Sequence, residues 1–201
     1  MTNESLYAAK QVFAALGVRH LVFQRPKGGA SDSLLMQADK SPNAKGAQAL
    51  GIAEGAERLL DQAAKQELRV LFVFTQDLVE LFGEPRVQQA ATQLELLVFV
   101  GTNANKTAAL AHVVLPSAVY AEQDGTFTNF QGRVQRLHAA LVPWGESKPE
   151  WQLLGELAER LDLDLAFIDP QAIFAELAKH EKPFQGLTYQ AIGDQGAMLA
   201  A

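Results

Sequence analysis

The chain has 201 residues, 48% apolar and 20% charged, with a net charge of −6 and no cysteine, enough for one sizeable core of ordinary globular composition. The missing cysteines exclude disulfides, thiolate catalysis, and cysteine-bound zinc or iron–sulfur clusters within these residues, and favour a cytosolic address. The mild, dispersed negative charge excludes the basic face that nucleic acid requires, no apolar run reaches the roughly 18–20 residues of a membrane span, and no secretory signal is visible.

Ser5 is placed to cap a first helix carrying Leu6, Ala9, Phe13 and Leu16 on one stripe, with Gly17 ending it. Val18 to Phe23 reads as a strand, Gln24 to Ser33 as a loop, and Leu34–Met36 as a short apolar piece. A second loop, Asp39 to Gly46, opens into a helical turn before Gly51. Gly55 to Glu67 is an amphipathic helix with Leu59, Leu60 and Ala63 inward. Arg69–Phe74 and Leu96–Val100 are continuous apolar runs, the pattern of parallel strands covered on both faces. Pro85–Gln93 lies between them as a helix, and Asn103–Ala111 crosses over to a third strand at Val113–Leu115. This order predicts an α/β fold with a Rossmann-like, mainly parallel sheet flanked by helices.

Pro116 stops the third strand. An acidic turn at Glu122, Asp124 and Gly125 leads into a β-hairpin, Thr126–Asn129 followed by Arg133–Leu137, each alternating polar with apolar residues. Ala139–Ser147 is a linker. Pro149 opens a helix with Trp151, Leu154, Leu157, Ala158 and Leu161 inward, and Asp169 caps another containing Ile173, Phe174 and Leu177. Residues 182–201 read as an extended tail lying on a partner or on the sheet. The division is an α/β domain over 1–138 and a helical appendage with tail over 139–201.

Little in the chain announces chemistry. Gly101–Thr107 follows a strand but lacks the spacing and second glycine of a phosphate loop. The four histidines are scattered, and none is read as having a carboxylate partner at helical spacing. Glu122 and Asp124 lie two apart in a loop that fixes no distance between them. The hairpin is richer: Thr126, Thr128 and Asn129 offer hydroxyl and amide groups, and Arg133 and Arg136 offer guanidinium forks. Residue types alone leave two readings open, a ligand- or domain-binding surface and a self-satisfied hairpin.

The words VVLP, AEQDGTFTN and GRVQR, in that order and followed by Trp151, resemble the molybdopterin oxidoreductase superfamily. Within it they look most like the G subunits of bacterial NADH–quinone oxidoreductase, respiratory complex I. PNAKGAQALG, Val70–Phe74 and PFQGLTYQAIG extend the resemblance. It implies a bis-pterin guanine dinucleotide of molybdenum or tungsten between domains of active members, with the hairpin word beside it. Iron–sulfur clusters are implied only in other segments or subunits. This chain departs from the pattern at Thr75-Gln76-Asp77, where a glycine-containing turn is usual, and at His112, where an aspartate is usual.

These features together lead to the expectation of a non-catalytic structural domain supporting the peripheral arm of complex I, with no catalytic, cofactor or metal residue of its own. The alternatives are part of a formate-dehydrogenase-like molybdopterin oxidoreductase, with molybdopterin guanine dinucleotide, and a free-standing small-ligand module. Expected partners are other subunits of a membrane-associated respiratory complex, holding the chain on the cytoplasmic face of the inner membrane without insertion. Interface candidates are Glu122, Asp124, Gly125, Thr126, Thr128, Asn129, Arg133, Arg136 and Trp151.

Overall fold

The computed structural model describes residues 1–18, 20–26 and 28–200. Arg19, within the expected first strand, Lys27 of the following loop and Ala201 of the tail lie outside the described residues.

The first helix, α1 (Asn3–Ala15), starts earlier than Ser5 predicts. Thr2 is its cap, accepting the Ser5 N–H at 3.1 Å. The Ser5 hydroxyl instead donates to Glu150 Oε2 at 3.2 Å. Gly17, at φ +71°, supplies the left-handed turn that ends the helix. Among the described residues of the expected strand, only Val22–Phe23 (β1) is extended with a partner. It pairs in parallel with Ala53–Glu54 (β2), and α2 (Ala44–Ala49) lies between the two.

The three central strands form one sheet, as the sequence predicts. β3 (Val70–Phe74), β4 (Leu96–Gly101) and β5 (Val113–Pro116) lie side by side, all parallel, with Val70 opposite Leu96 and Val98 opposite Val113. One face packs on α3 (Glu57–Ala64) and α5 (Glu84–Gln93), where Leu60, Ala63, Val87 and Ala90 meet Leu97 and Phe99. On the other face, Phe13 of α1 stands edge-on to Phe72 and Phe74, its ring centroid 5.2 and 6.2 Å from theirs. A short helix, α4 (Leu78–Phe82), was not legible from periodicity because it is barely one turn long. Between β4 and β5 the chain makes only a 3₁₀ turn, Ala108–Leu110. His112 belongs to this sheet: its Nδ1 accepts the Leu97 N–H at 2.8 Å.

The hairpin forms as expected, β6 (Gly125–Thr128) antiparallel to β7 (Arg133–Leu137). Residues 139–147 contain no helix or strand. Pro149 is the residue before α6 (Glu150–Arg160) rather than its first, and α6 packs Leu154 and Ala158 against α1. Asp169 caps α7 (Pro170–His180) through the Ala172 N–H at 2.7 Å. No helix among the described residues is long and apolar enough to cross a membrane.

The tail corrects the expectation of an extended strap. It folds into a 3₁₀ turn at Lys182–Phe184, a short helix α8 (Tyr189–Ile192) and a strand β8 (Ala197–Met198) that pairs antiparallel with β7. Phe184, Tyr189 and Ile192 are buried with Ile173, Phe174 and Leu177 of α7. Their aromatic and aliphatic spacing has no single period because three different short elements carry them. Since Phe184 is fully buried, Phe184→Ala is expected to cost about 3–5 kcal/mol. Thermal melting of the isolated chain should show this as a fall of about 10 °C.

Candidate functional site

Two polar regions stand out, and they differ in what they offer a ligand. The first is a buried seam where α1, the hairpin and α8 meet. Glu4, fully buried in the first turn of α1, accepts the Thr126 N–H at Oε2 (2.9 Å) and the Thr126 and Tyr189 hydroxyls at Oε1 (2.9 Å each). Asn3 donates to the hydroxyls of Thr126 and Thr128, both at 3.0 Å. Asn43 Oδ1, just before α2, accepts the Thr128 N–H at 2.7 Å. The seam is so close that only glycine fits at position 125. A Cβ there would lie 2.8 Å from Thr2 Cγ2 and 2.9 Å from Glu4 Oε2.

Burial pushes the Glu4 carboxyl up to about 7, although hydrogen bonds from its own backbone, from Thr126 and from Tyr189 pull it part of the way back. Burial and the adjacent Glu4 raise the Tyr189 hydroxyl as well. Arg136 lies over the Tyr189 ring, 4.5 Å from its centroid.

The remaining hairpin candidates also serve the fold. Glu122 Oε2 accepts the Val119 N–H at 2.9 Å and closes its own 3₁₀ turn. Asp124 is exposed, accepts the Ala139 N–H at 3.3 Å and lies 3.9 Å from His138. Asn129 Oδ1 accepts the N–H groups of Gln131 and Arg133, each at 3.0 Å, making the hairpin turn. Arg133 donates to the carbonyls of Gln195 and Gly196 at 3.2 and 3.3 Å, holding the tail beside β7. Trp151 is half-buried between α6 and the α1 and α7 cores. The structure therefore turns Thr126 and Thr128 inward. His180 has the carboxylate partner that the sequence reading passed over: Glu176, four residues earlier on α7, at 3.2 Å on an exposed face.

The second region is a cleft of about 490 Å³ at the carboxyl ends of β3 and β4, lined by Thr75, Gln76, Asp77, Thr102, Asn103 and Asn105 among others. The carboxyl ends of parallel strands are where open α/β sheets bind ligands. Thr75 turns the chain there at φ +60°, a conformation uncommon for a non-glycine residue. Asp77 ties the two strand-end loops together. It accepts the N–H groups of Val79 and Glu80 at 3.0 and 3.3 Å, that of Lys106 at 3.3 Å, and the Thr107 hydroxyl at 2.8 Å. Burial raises its pKa, but these hydrogen bonds outweigh burial and hold the carboxyl below the usual range. Sequence reasoning named Asp77 only as a departure from the family's usual turn and missed its capping role; the available signal was an aspartate directly before an apolar turn of helix.

The cleft presents hydroxyl and amide groups together with the carboxylates of Asp77 and Glu80, a chemistry that fits the polar edge of a heterocycle. It does not fit a metal ion: the chain has no cysteine, and no group of three histidine or acidic side chains converges among the described residues.

The Glu4 shift sets a pH dependence. Its folded pKa of about 7 exceeds the 4.5 of an unperturbed glutamate. The folded state thus holds the proton more tightly, and stability is lost as pH rises from about 4.5 through about 7. The loss is expected to be about 3 kcal/mol. Urea titrations between pH 5 and pH 8 should show it, and Glu4→Gln should flatten the slope by that amount.

Comparison with known proteins bears on both regions. Residues 36–160, more than half the chain, match the family model for molybdopterin oxidoreductases. The NADPH-Fe(3+) oxidoreductase subunit alpha of Geobacter sulfurreducens is 34% identical over 163 residues, 81% of this chain and 18% of that protein. A putative formate dehydrogenase of Staphylococcus aureus is 39% identical over 106 residues, 53% of this chain and 11% of that protein. The match thus spans between a tenth and a fifth of these relatives' length. The acetylene hydratase of Pelobacter acetylenicus shares the fold, with a TM-score of 0.57 over 74% of this chain and 21% of its own, at 19% identity. On the family match, the chain belongs to the molybdopterin oxidoreductase family.

Proposed function

We propose that this chain is a non-catalytic structural domain of a large oxidoreductase subunit, of the kind represented by its formate-dehydrogenase and NADPH-Fe(3+) oxidoreductase relatives. The observation that carries the reading is where its polar side chains go. Glu4, Asn3, Thr126, Thr128 and Asp77 are all engaged in holding segments of this chain to one another. What remains open is the lining of the strand-end cleft, where hydroxyl and amide groups stand beside Glu80. Thr75, Gln76, Thr102 and Asn103 would hold the polar end of a molybdopterin guanine dinucleotide shared with another part of the subunit. That group would supply the redox chemistry, and this chain only a position for it.

A docking role has separate support. Val142 and Trp144 are each 87% exposed and Leu141 62%, all in the irregular stretch after the hairpin. Three large apolar side chains so close in sequence suit a surface covered in an assembly. The words AEQDGTFTN and GRVQR favour a second reading, the G subunit of complex I, in which the same surface meets other subunits of the peripheral arm at the cytoplasmic face of the membrane.

Metal and pterin analysis of the purified chain tests the structural reading. The expected result is no stoichiometric molybdenum, tungsten or iron; about one molybdenum or tungsten per chain would overturn it. Tagged chain expressed in its own cell separates the two assemblies. Recovery with NADH–quinone oxidoreductase subunits supports complex I, and recovery with a molybdenum-containing formate dehydrogenase activity supports the first reading. Trp144→Ala is expected to reduce either recovery at least tenfold, about 1.4 kcal/mol or more, while leaving the melting temperature of the isolated chain unchanged.

A further inference from the structure

β4 has a strand on each side, and Leu97–Gly101 are buried. β3 is equally apolar, Val-Leu-Phe-Val-Phe, yet only Val73 is buried and Val70 is 47% exposed. The difference lies on one edge. Among the described residues β3 pairs only with β4, and β1 pairs only with β2. Between β1 and β3 lies a cavity of about 530 Å³, walled by Val22 and Phe23 on one side and by Leu71 and Phe72 on the other. α1 closes one face of it with Phe13, and α3 closes the opposite face with Leu60. Both walls run the same way, since Pro26 just after β1 and Thr75 and Gln76 just after β3 line the same strand-end cleft.

We infer that this cavity is a slot for one additional β-strand, parallel to β1 and β3, which joins the two sheets into one of six strands. A small lipophile suits the volume but leaves the facing main-chain N–H and C=O groups of both edges unpaired within apolar walls, whereas a strand pairs them. Helical layers on both faces dictate the occupant's chemistry: about five residues, apolar at every position, without proline. Its source is a companion segment of the same kind of subunit. The matched portions are 18% and 11% of the relatives' lengths, so most of such a polypeptide lies beyond the matched stretch. The inference does not depend on which oxidoreductase assembly the chain serves.

The chain's own β4 is the nearest example of a strand buried on both faces, so the probe is a peptide of the five residues Leu96–Val100 flanked by lysine pairs. The control is the same peptide with proline at its centre. At a hundred times its Kd the probe is expected to raise the melting temperature by about 5–10 °C. It is also expected to slow amide exchange about tenfold at Val22–Phe23 and Val70–Phe74, and the control should do neither. An equal effect of the control would show an apolar pocket without strand pairing and overturn the proposal. So would protection at Val113–Leu115 alone, or exchange in β1 and β3 already as slow as in β4 without peptide. A dimer by sedimentation whose dissociation exposes β1 and β3 would give the slot to a second copy and likewise overturn it. In the variant Phe72→Lys, which sets a charge in the slot, the probe should lose its effect. Unchanged binding to that variant, once circular dichroism shows it folded, would place the peptide elsewhere.

Discussion

Among the described residues no cation pairs with Glu4 in the buried seam; what holds it is hydroxyls and a backbone N–H from two other parts of the chain. A carboxyl moved out of water without a counter-charge is tolerated by taking a proton and by collecting hydrogen bonds. Here both occur, and the result is that the first turn of α1, the hairpin and α8 must be in register before any of them is satisfied. Asn3 and Asn43 extend the same constraint to Thr128 and α2. The helical layer formed by α1 and α6 then takes its place over the sheet, because α1 carries Phe13 to Phe72 and Phe74. An apolar joint between these elements would tolerate sliding; a joint of directional hydrogen bonds does not.

The sheet contributes a second, independent constraint. Its strands end on a common side, and Asp77 gathers the loops that leave β3 and β4. The Asp77 carboxylate is committed to four donors, and Glu80 stands beside it in the same wall. With the hydroxyls and amides of the strand-end loops, that wall suits a ligand edge that brings hydrogen-bond donors of its own.

How much of this could be read beforehand follows from the range of each signal. β3, β4 and β5 were legible because a strand covered on both faces is a continuous apolar run, and the parallel pairing followed from the helix between β3 and β4 and the crossover between β4 and β5. The hairpin was legible from the alternation of its two strands. Glu4 was not, since an acidic residue in a first helical turn ordinarily faces water and meets the helix dipole. Only the arrival of Thr126 and Tyr189, 122 and 185 residues away in sequence, makes it an interior group. Thr126 and Thr128 were named as interface candidates, but residue type cannot say which way a hydroxyl points, and both turn inward. α4, β2, α8 and β8 are each five residues or fewer, too short for any periodicity to register.

The bond from Tyr189 to Glu4 closes a loop of 185 residues, with a consequence for the order of events during synthesis. Translation proceeds at about 5–20 residues per second. Some ten to forty seconds therefore separate the making of α1 from the making of the side chain that completes its polar seam. For most of that interval α1 has its apolar stripe but not the hairpin, and for all of it no α8, to dock on. The β3–β4–β5 unit, whose contacts are local by comparison, can assemble meanwhile. α1 is thus made well before the elements it docks on and is among the last to settle, which makes its exposed face the natural target for a chaperone while the rest is still being made.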